Sequence, residues 1–527
     1  LADNAYKFAY NYSDYTLTGT YKWAATVKAG QFGFYAQDKW NVSNNFNLTY
    51  GVRFDIPMFF NKPTANDAFN SSAYATTFNV KVGEVPSAKV MVSPRLGFRW
   101  FTSDSHKTLI RGGAGLFTGR VPFVWISNNW SNTGVEMKGT TITNNVPSFE
   151  TYKNDPVAAM NSAAGSASKP TINTVSKDFK YPQVFRTNLA LEQELPFEVK
   201  MTLEGLYSKT LNNVWFENLA LKDNGKKVYA VSADVANSAT TYYSTDAGSY
   251  YAIVDLRNTN KGYTYALSAK LEKSFKFGLD LMASYTYGHA YSVNDGTSSV
   301  AYSNWKYNYS IDSNDENELS YSVFDVPNRV LAQVTYTTPK YLKGRLATVV
   351  SLVYNGYNGM RYSLTMNESA DFNGDTQKGN SLLYIPTESE LAKMTFATED
   401  DRTKFAGWIE GDTYAKENRG KYAERYSNSA PWENHFDLHI AEDFFYLKDG
   451  DSKISLTFDI INFGNLLNKK WGTVYGSDYN VQPLKVTKLT TNADGNKIPT
   501  YSFQEDKVYK SDFLSRWHGQ IGLRVTF

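Results

Sequence analysis

Three sets of residues in this 527-residue chain combine side-chain type and spacing in ways that suit chemistry. The first is the run DFNGD, where Asp371, Asn373 and Asp375 stand at i, i+2 and i+4 around a glycine. Ca²⁺-binding loops begin this way, with hard oxygen ligands on alternate residues of a tight turn. Leu382 rather than Glu at the twelfth position excludes an EF-hand, and Thr376 stands where such loops often have glycine. The same residues also suit an Asx-rich turn ordered by side-chain to backbone bonds. The cofactor expectation is therefore Ca²⁺ at these three residues, or none.

The second set is His435, Asp437 and His439. On a strand they share one face but spread over about 13 Å, too far for one metal, so they read as polar lining. The third is RGGAGLFTGR (111–120). It lacks the Lys-Ser/Thr ending and the helix of a phosphate cradle. Glycines inside strands make room for neighbouring side chains or for a bend. With five His, no Cys, and neither G-x-S-x-G nor H-E-x-x-H, nothing points to a nucleophile and its base; the expectation is a protein that is not an enzyme. Two further segments belong to loops. ESELAKM (388–394) suits one or two helical turns that cap or rest on a lumen, and TTYYSTDAGSYYA (240–252) suits ligand stacking or loop packing.

Strands must position these residues. FGFYAQDKWNVSNNFNLTYGVRFD (32–55) holds two alternating runs around Ser43-Asn44-Asn45. Period-2 alternation then recurs from end to end. It predicts thirteen strands, at 30–42, 45–60, 89–101, 108–120, 182–195, 197–216, 263–275, 277–291, 326–338, 345–364, 432–447, 453–467 and 512–527. Short turns at 43–45, 102–107, 195–197, 276, 339–344 and 448–452 alternate with long polar loops at 61–88, 121–181, 217–262, 292–325, 365–431 and 468–511.

A soluble sandwich has no reason to put every long loop at one end. An outer-membrane barrel does, with short periplasmic turns and long extracellular loops. In a bilayer all backbone polar groups must pair internally, and a closed antiparallel barrel achieves this. The fold expectation is thus an all-β transmembrane antiparallel barrel, apolar outside and polar inside. Phe46, Leu48, Tyr50, Val52, Phe54 and Ile56 are expected to face lipid. Arg53, Asp55, Arg95, Arg99, Arg111, Asp437 and Arg524 are expected to face the lumen. Trp40, Trp100, Phe444, Phe445, Tyr446 and Trp517 fall near strand ends, where aromatic girdles lie.

Composition agrees. Aromatics make up 16% of the chain, with 39 Tyr, 32 Phe and 11 Trp, yet no apolar run approaches the length of a membrane helix. A net charge of +2 implies no nucleic-acid partner, and the absence of Cys excludes disulfides. Counting thirteen strands back from Phe527 puts residue 1 outside the cell. Single-chain bacterial barrels have an even number of strands, so the chain is expected to be the C-terminal part of a barrel.

Several stretches resemble one family. SPRLGFRW (93–100), LIRGGAGLFTGR (109–120), FYAQDKW (34–40) and YGVRFD (50–55) resemble TonB-dependent outer-membrane receptors. Within that family the likeness is to the Oar-like branch, whose N-terminus usually carries a carboxypeptidase-regulatory-like domain. FDVPNRV (324–330), DFNGDTQKGNSLLYIP (371–386), APWENHFDLHI (430–440), FDIINFGNLLNKKWG (458–472) and the closing IGLRVTF match the same branch. NLLNKKWGTVY (465–475) departs from the SusC-like pattern, which weakens the inference of a SusD-like lipoprotein lid. The resemblance implies a barrel of about 22 strands with an N-terminal plug. About nine strands, the plug and the TonB box would then precede residue 1. It further implies import driven by the proton-motive force. The partners would be the N-terminal part of the same protein, TonB-ExbB-ExbD, outer-membrane lipids and a surface lipoprotein. The alternatives on the same scaffold are a secretion or surface-assembly channel and a loop-displaying adhesin.

Overall fold

The computed structural model describes residues 8–20, 23–142, 150, 166–368, 371–446, 452–477 and 479–527. Among the described residues the alternating segments form thirteen wall strands. They are β1 (Ala29–Asn41), β2 (Phe46–Phe59), β3 (Met91–Phe101), β4 (Thr108–Thr118), β5 (Gln183–Leu195), β6 (Val199–Asn218) and β7 (Tyr263–Ser274). The series continues with β8 (Leu279–Ser292), β9 (Asn328–Thr337), β10 (Leu346–Tyr357), β11 (Glu433–Phe445), β12 (Lys453–Ile461) and β13 (His518–Thr526). Each pairs antiparallel with its neighbours in sequence, in the order β1 to β13. Among the described residues, β1 and β13 each keep one edge without a strand partner. The expected short turn at 448–452 lies, apart from Ser452, outside the described residues.

Register places side chains as the alternation requires. Phe34 pairs with Phe54, Val52 with Pro94, Leu96 with Ala114, and Leu203 with Leu191. This face stays open: Leu96, Leu189, Leu267 and Ile521 are more than half exposed. A continuous apolar surface of that extent belongs against lipid. The opposite parity carries Arg53 beside Ser93, Arg99 beside Arg111, and His439 beside Asp459. The fold is an all-β transmembrane barrel wall, and no described helix is long and apolar enough to cross a membrane.

Several boundaries differ from the periodicity. The tenth strand was expected to reach 364 but stops at Tyr357. The following strand, Arg361–Glu368, leaves the wall and pairs in parallel with Asn480–Thr491. A Cβ at Gly359 would lie 2.6 Å from the Pro431 carbonyl, so the departure needs glycine there. The twelfth strand was expected to reach 467 but ends at Ile461. Asn462 adopts φ +55°, and a short helix, Phe463–Leu467, follows. The Asn462 amide holds that corner by donating to the Gly472 and Ser515 carbonyls, both at 2.8 Å. β13 begins at His518 rather than 512. Of the expected girdle residues, Phe445 lies on the lumen parity, with the Lys340 ammonium 3.8 Å from its ring.

The long connections, which periodicity left as polar loops, fold into a layer above the wall. One apolar core joins Val228, Leu364, Phe372, Phe405, Ile409 and Tyr501. A second gathers Ile126, Trp130, Phe216 and Trp305, and a third Phe69, Val82 and Ile172. β6, at 20 residues, runs past the membrane band, and its upper end pairs with Ala252–Thr259.

Candidate functional site

The lumen face is a mosaic of paired charges. The Arg53 guanidinium donates to Asp55 at 2.8 and 2.9 Å, and Gln31 donates to the same carboxylate at 2.9 Å. Gly33 leaves the space: a Cβ there would sit 2.3 Å from Arg53 Nη2. Nearer the short turns, Arg111 donates to Glu192 at 2.6 Å and lies 3.4 Å from Glu204, joining β4, β5 and β6. Arg99, Lys107, Arg111, Glu192, Glu204 and Lys270 line a recess of about 490 Å³ there. The glycines of RGGAGLFTGR do make room: Cβ atoms at Gly112, Gly113 and Gly115 would each approach a neighbouring strand's carbonyl within 3 Å.

His435, Asp437 and His439 share the lumen face of β11 but have separate partners. His435 lies 3.1 Å from Glu433 and stacks on Tyr357. Asp437 accepts the Asn462 backbone N–H at 2.7 Å, and His439 lies 2.5 Å from Asp459. They line the wall and do not converge.

Asp371, Asn373 and Asp375 come together in one turn of the extracellular layer. Asp371 accepts the backbone N–H groups of Gly374 at 2.8 Å and Thr376 at 2.7 Å. Asn373 accepts that of Asp375 at 3.2 Å, and Asp375 that of Gln377 at 2.8 Å. This is the ladder of bonds that an Asx-rich turn supplies. The Asn373 side chain also donates to the Asp312 backbone carbonyl at 2.5 Å, and the Asn373 backbone carbonyl accepts Tyr243 N–H at 2.6 Å. Burial pushes the Asp375 carboxyl up to about 7, with the Asp371 charge adding to it, and pushes Glu368 up to about 8. Among the described residues no three His, Cys, Asp or Glu side chains form a metal-holding group.

ESELAKM forms a helix, Glu388–Leu391, closed by a reciprocal Thr387–Glu390 capping box. Leu391 and Met394 face the loop core rather than an open lumen. In the Tyr-rich segment, Thr240 and Thr241 are buried, Tyr250 packs edge-on against Phe69, and Tyr251 packs on Tyr302. These contacts are loop packing.

Two features escaped the motifs. Asp325 accepts from Arg361 at 2.6 Å and from Ala290 N–H at 2.7 Å, with His289 at 3.1 Å, and the Arg361 guanidinium covers the Tyr321 ring. FDVPNRV carried the signal for Asp325, but its partners lie 36 residues away on either side. Burial also pushes Asp315 and Glu316 up to about 7 within the layer. Asp315 accepts from Trp305 Nε1 and Asn218 N–H, at 2.7 and 2.8 Å.

No curated protein matches this sequence. Among solved structures, the outer membrane transporter YddB from Escherichia coli is similar at TM-score 0.44 and 10% identity, over 95% of this chain and 45% of that one. A ferric enterobactin receptor (PfeA) mutant from Pseudomonas aeruginosa is similar at TM-score 0.38 and 11% identity, over 83% and 40%. The siderophore receptor PirA from Acinetobacter baumannii is similar at TM-score 0.38 and 12% identity, over 83% and 42%. The chain thus spans less than half the length of each. The model of the outer membrane beta barrel domain matches residues 3–473. With that match over a wall of lipid-facing and lumen-facing strands, the chain belongs to the outer-membrane β-barrel family and resides in the outer membrane.

Proposed function

We propose that this chain is the C-terminal part of the wall of an Oar-like TonB-dependent transporter that imports a ligand with energy from the inner-membrane proton-motive force. The observation that carries the reading is the charged lumen face under a folded extracellular layer, from Arg53–Asp55 to Arg111–Glu192–Glu204. A barrel of this kind holds a plug against such a face and admits ligand through the loops. The ordered family-like stretches, from FYAQDKW to IGLRVTF, support the same branch. The free edges of β1 and β13 support a second part of the reading. About nine further strands and the plug, supplied N-terminally, complete the barrel. TonB-ExbB-ExbD and a surface lipoprotein are the proposed partners.

Growth competition tests the transport reading. Strains lacking this protein, TonB, or both are compared across carbon, metal and cofactor sources. A condition in which the single losses give equal, non-additive defects supports import. Defects that add, or that persist without any nutrient dependence, favour a secretion channel or adhesin instead. Intact mass under denaturing conditions tests the completion of the barrel. A single 59.4 kDa species with no linked or co-purifying N-terminal fragment overturns it.

A further inference from the structure

We propose that the extracellular turn 371–380 binds one Ca²⁺ through side-chain oxygens of Asp371, Asn373, Asp375 and Asn380, with Glu368 beside them, and that the ion ties three connections together. This does not rest on the transport reading.

The donors are hard oxygens alone, with no His or Cys, which suits Ca²⁺ rather than a transition metal. The turn by itself explains only its backbone bonds. Asn380 is a separate observation. It is 3% exposed, and its amide hydrogens are both used, on Asp375 Oδ2 at 3.0 Å and on Asn314 Oδ1 at 2.7 Å. That fixes which end of the amide is the carbonyl. This oxygen, on the same amide whose nitrogen donates to Asp375, is buried and has no hydrogen-bond partner. Glu368 packs beside the turn: it is 5% exposed, Oε2 accepts Phe372 N–H at 3.0 Å, and the buried Ser381 hydroxyl faces its carboxyl. A buried amide oxygen left unpaired on a side chain that contacts the turn is what a bound cation relieves. Two carboxylates in the turn, with amide oxygens and water, fit an oxygen shell of six to eight ligands without a third acid in the turn.

The position gives the ion a structural effect. Asn373 joins the turn to Asp312, and Asn380 joins it to Asn314, both on the β8–β9 connection. Tyr243 N–H, on the β6–β7 connection, donates to the Asn373 backbone carbonyl. The turn itself is on the β10–β11 connection. Pinning it orders all three.

The test is calorimetric titration of CaCl₂ into the chelator-washed protein in detergent, with MgCl₂ as control. The expected result is one Ca²⁺ per chain with a Kd of about 10⁻⁴–10⁻³ M, the range of extracellular sites. Ca²⁺ should also slow protease cleavage in 371–380. Asp375→Asn and Asn380→Ala should each weaken binding at least about tenfold, while the exposed Asp494→Asn leaves it unchanged. Should Asp375→Asn fail to fold, Asn380→Ala removes no charge and decides with the wild-type titration. No uptake by the wild type well above about 10⁻³ M overturns the proposal, as does equal binding by the wild type and Asn380→Ala.

Discussion

The face a residue occupies decides what a charge costs there. Leu189 and Asn188 are adjacent on β5 but lie on opposite faces, Leu189 against Gly112 and Gly205, Asn188 donating to Glu204 at 3.1 Å. Leu189→Arg should cost about 2–4 kcal/mol if the position lies near the bilayer midplane. Asn188→Arg, on the lumen side beside Glu204, should cost far less. Refolding into liposomes, read by heat-modifiable mobility on gels, measures both. Glu316 supplies a pH effect in the extracellular layer. Burial raises its carboxyl from 4.5 to about 7, so the folded layer keeps a proton that the opened chain releases. The contribution is full below pH 4.5 and is lost as pH rises through about 7. Protease cleavage around 310–318 should therefore be slower at about pH 5.5 than at about pH 8, once protease activity is normalised. Glu316→Gln should lessen that difference, the remainder coming from Asp315, which burial also raises to about 7. The sequence identified Asp371, Asn373 and Asp375 by spacing, but not Asn380, Asp315 or Glu316. Their importance comes from burial, which no local pattern reports.

Periodicity found the wall elements because alternation is a property of the strand alone. It overran β10 and β12 because Tyr362, Leu364 and Phe463 continue an apolar pattern after the chain has left the wall. The loop elements were less legible. The 13-residue helix Glu399–Gly411 has its N-cap at Thr398, which accepts Asp401 N–H, and three acids in its first turn. Both are helix-start signals, but the helix gains its place only by burying Phe405 and Ile409 against residues from other connections. Thr398→Ala should cost about 0.5–2 kcal/mol of helix stability. Hydrogen exchange across 399–411 should quicken, with β11 and β12 unchanged.

At the scale of the molecule, a lipid-bound wall carries a water-facing layer with its own cores. The two are stabilised differently. The wall depends on backbone pairing in lipid, and the layer depends on burial of side chains such as Trp305 and Phe405, both 0% exposed. Phe405→Ala should destabilise the layer by about 3–5 kcal/mol. Limited proteolysis should then cut the connections more readily while the wall keeps its heat-modifiable mobility. Equal loss of both would mean that wall and layer fold as one cooperative unit.

The sequence by itself determined the strand count, the end that carries the long connections, and which face meets lipid. Each follows from a local rule: side chains alternate along a strand, and lipid accepts only apolar groups outside. Tertiary structure alone decided the rest. Arg111 meets Glu192 and Glu204 across 81 and 93 residues, and Asn373 reaches Asp312 across 61. Folding of the polar connections into three cores was decided in the same way. Such contacts depend on which distant segments pack together, and a pattern of period two carries no record of that.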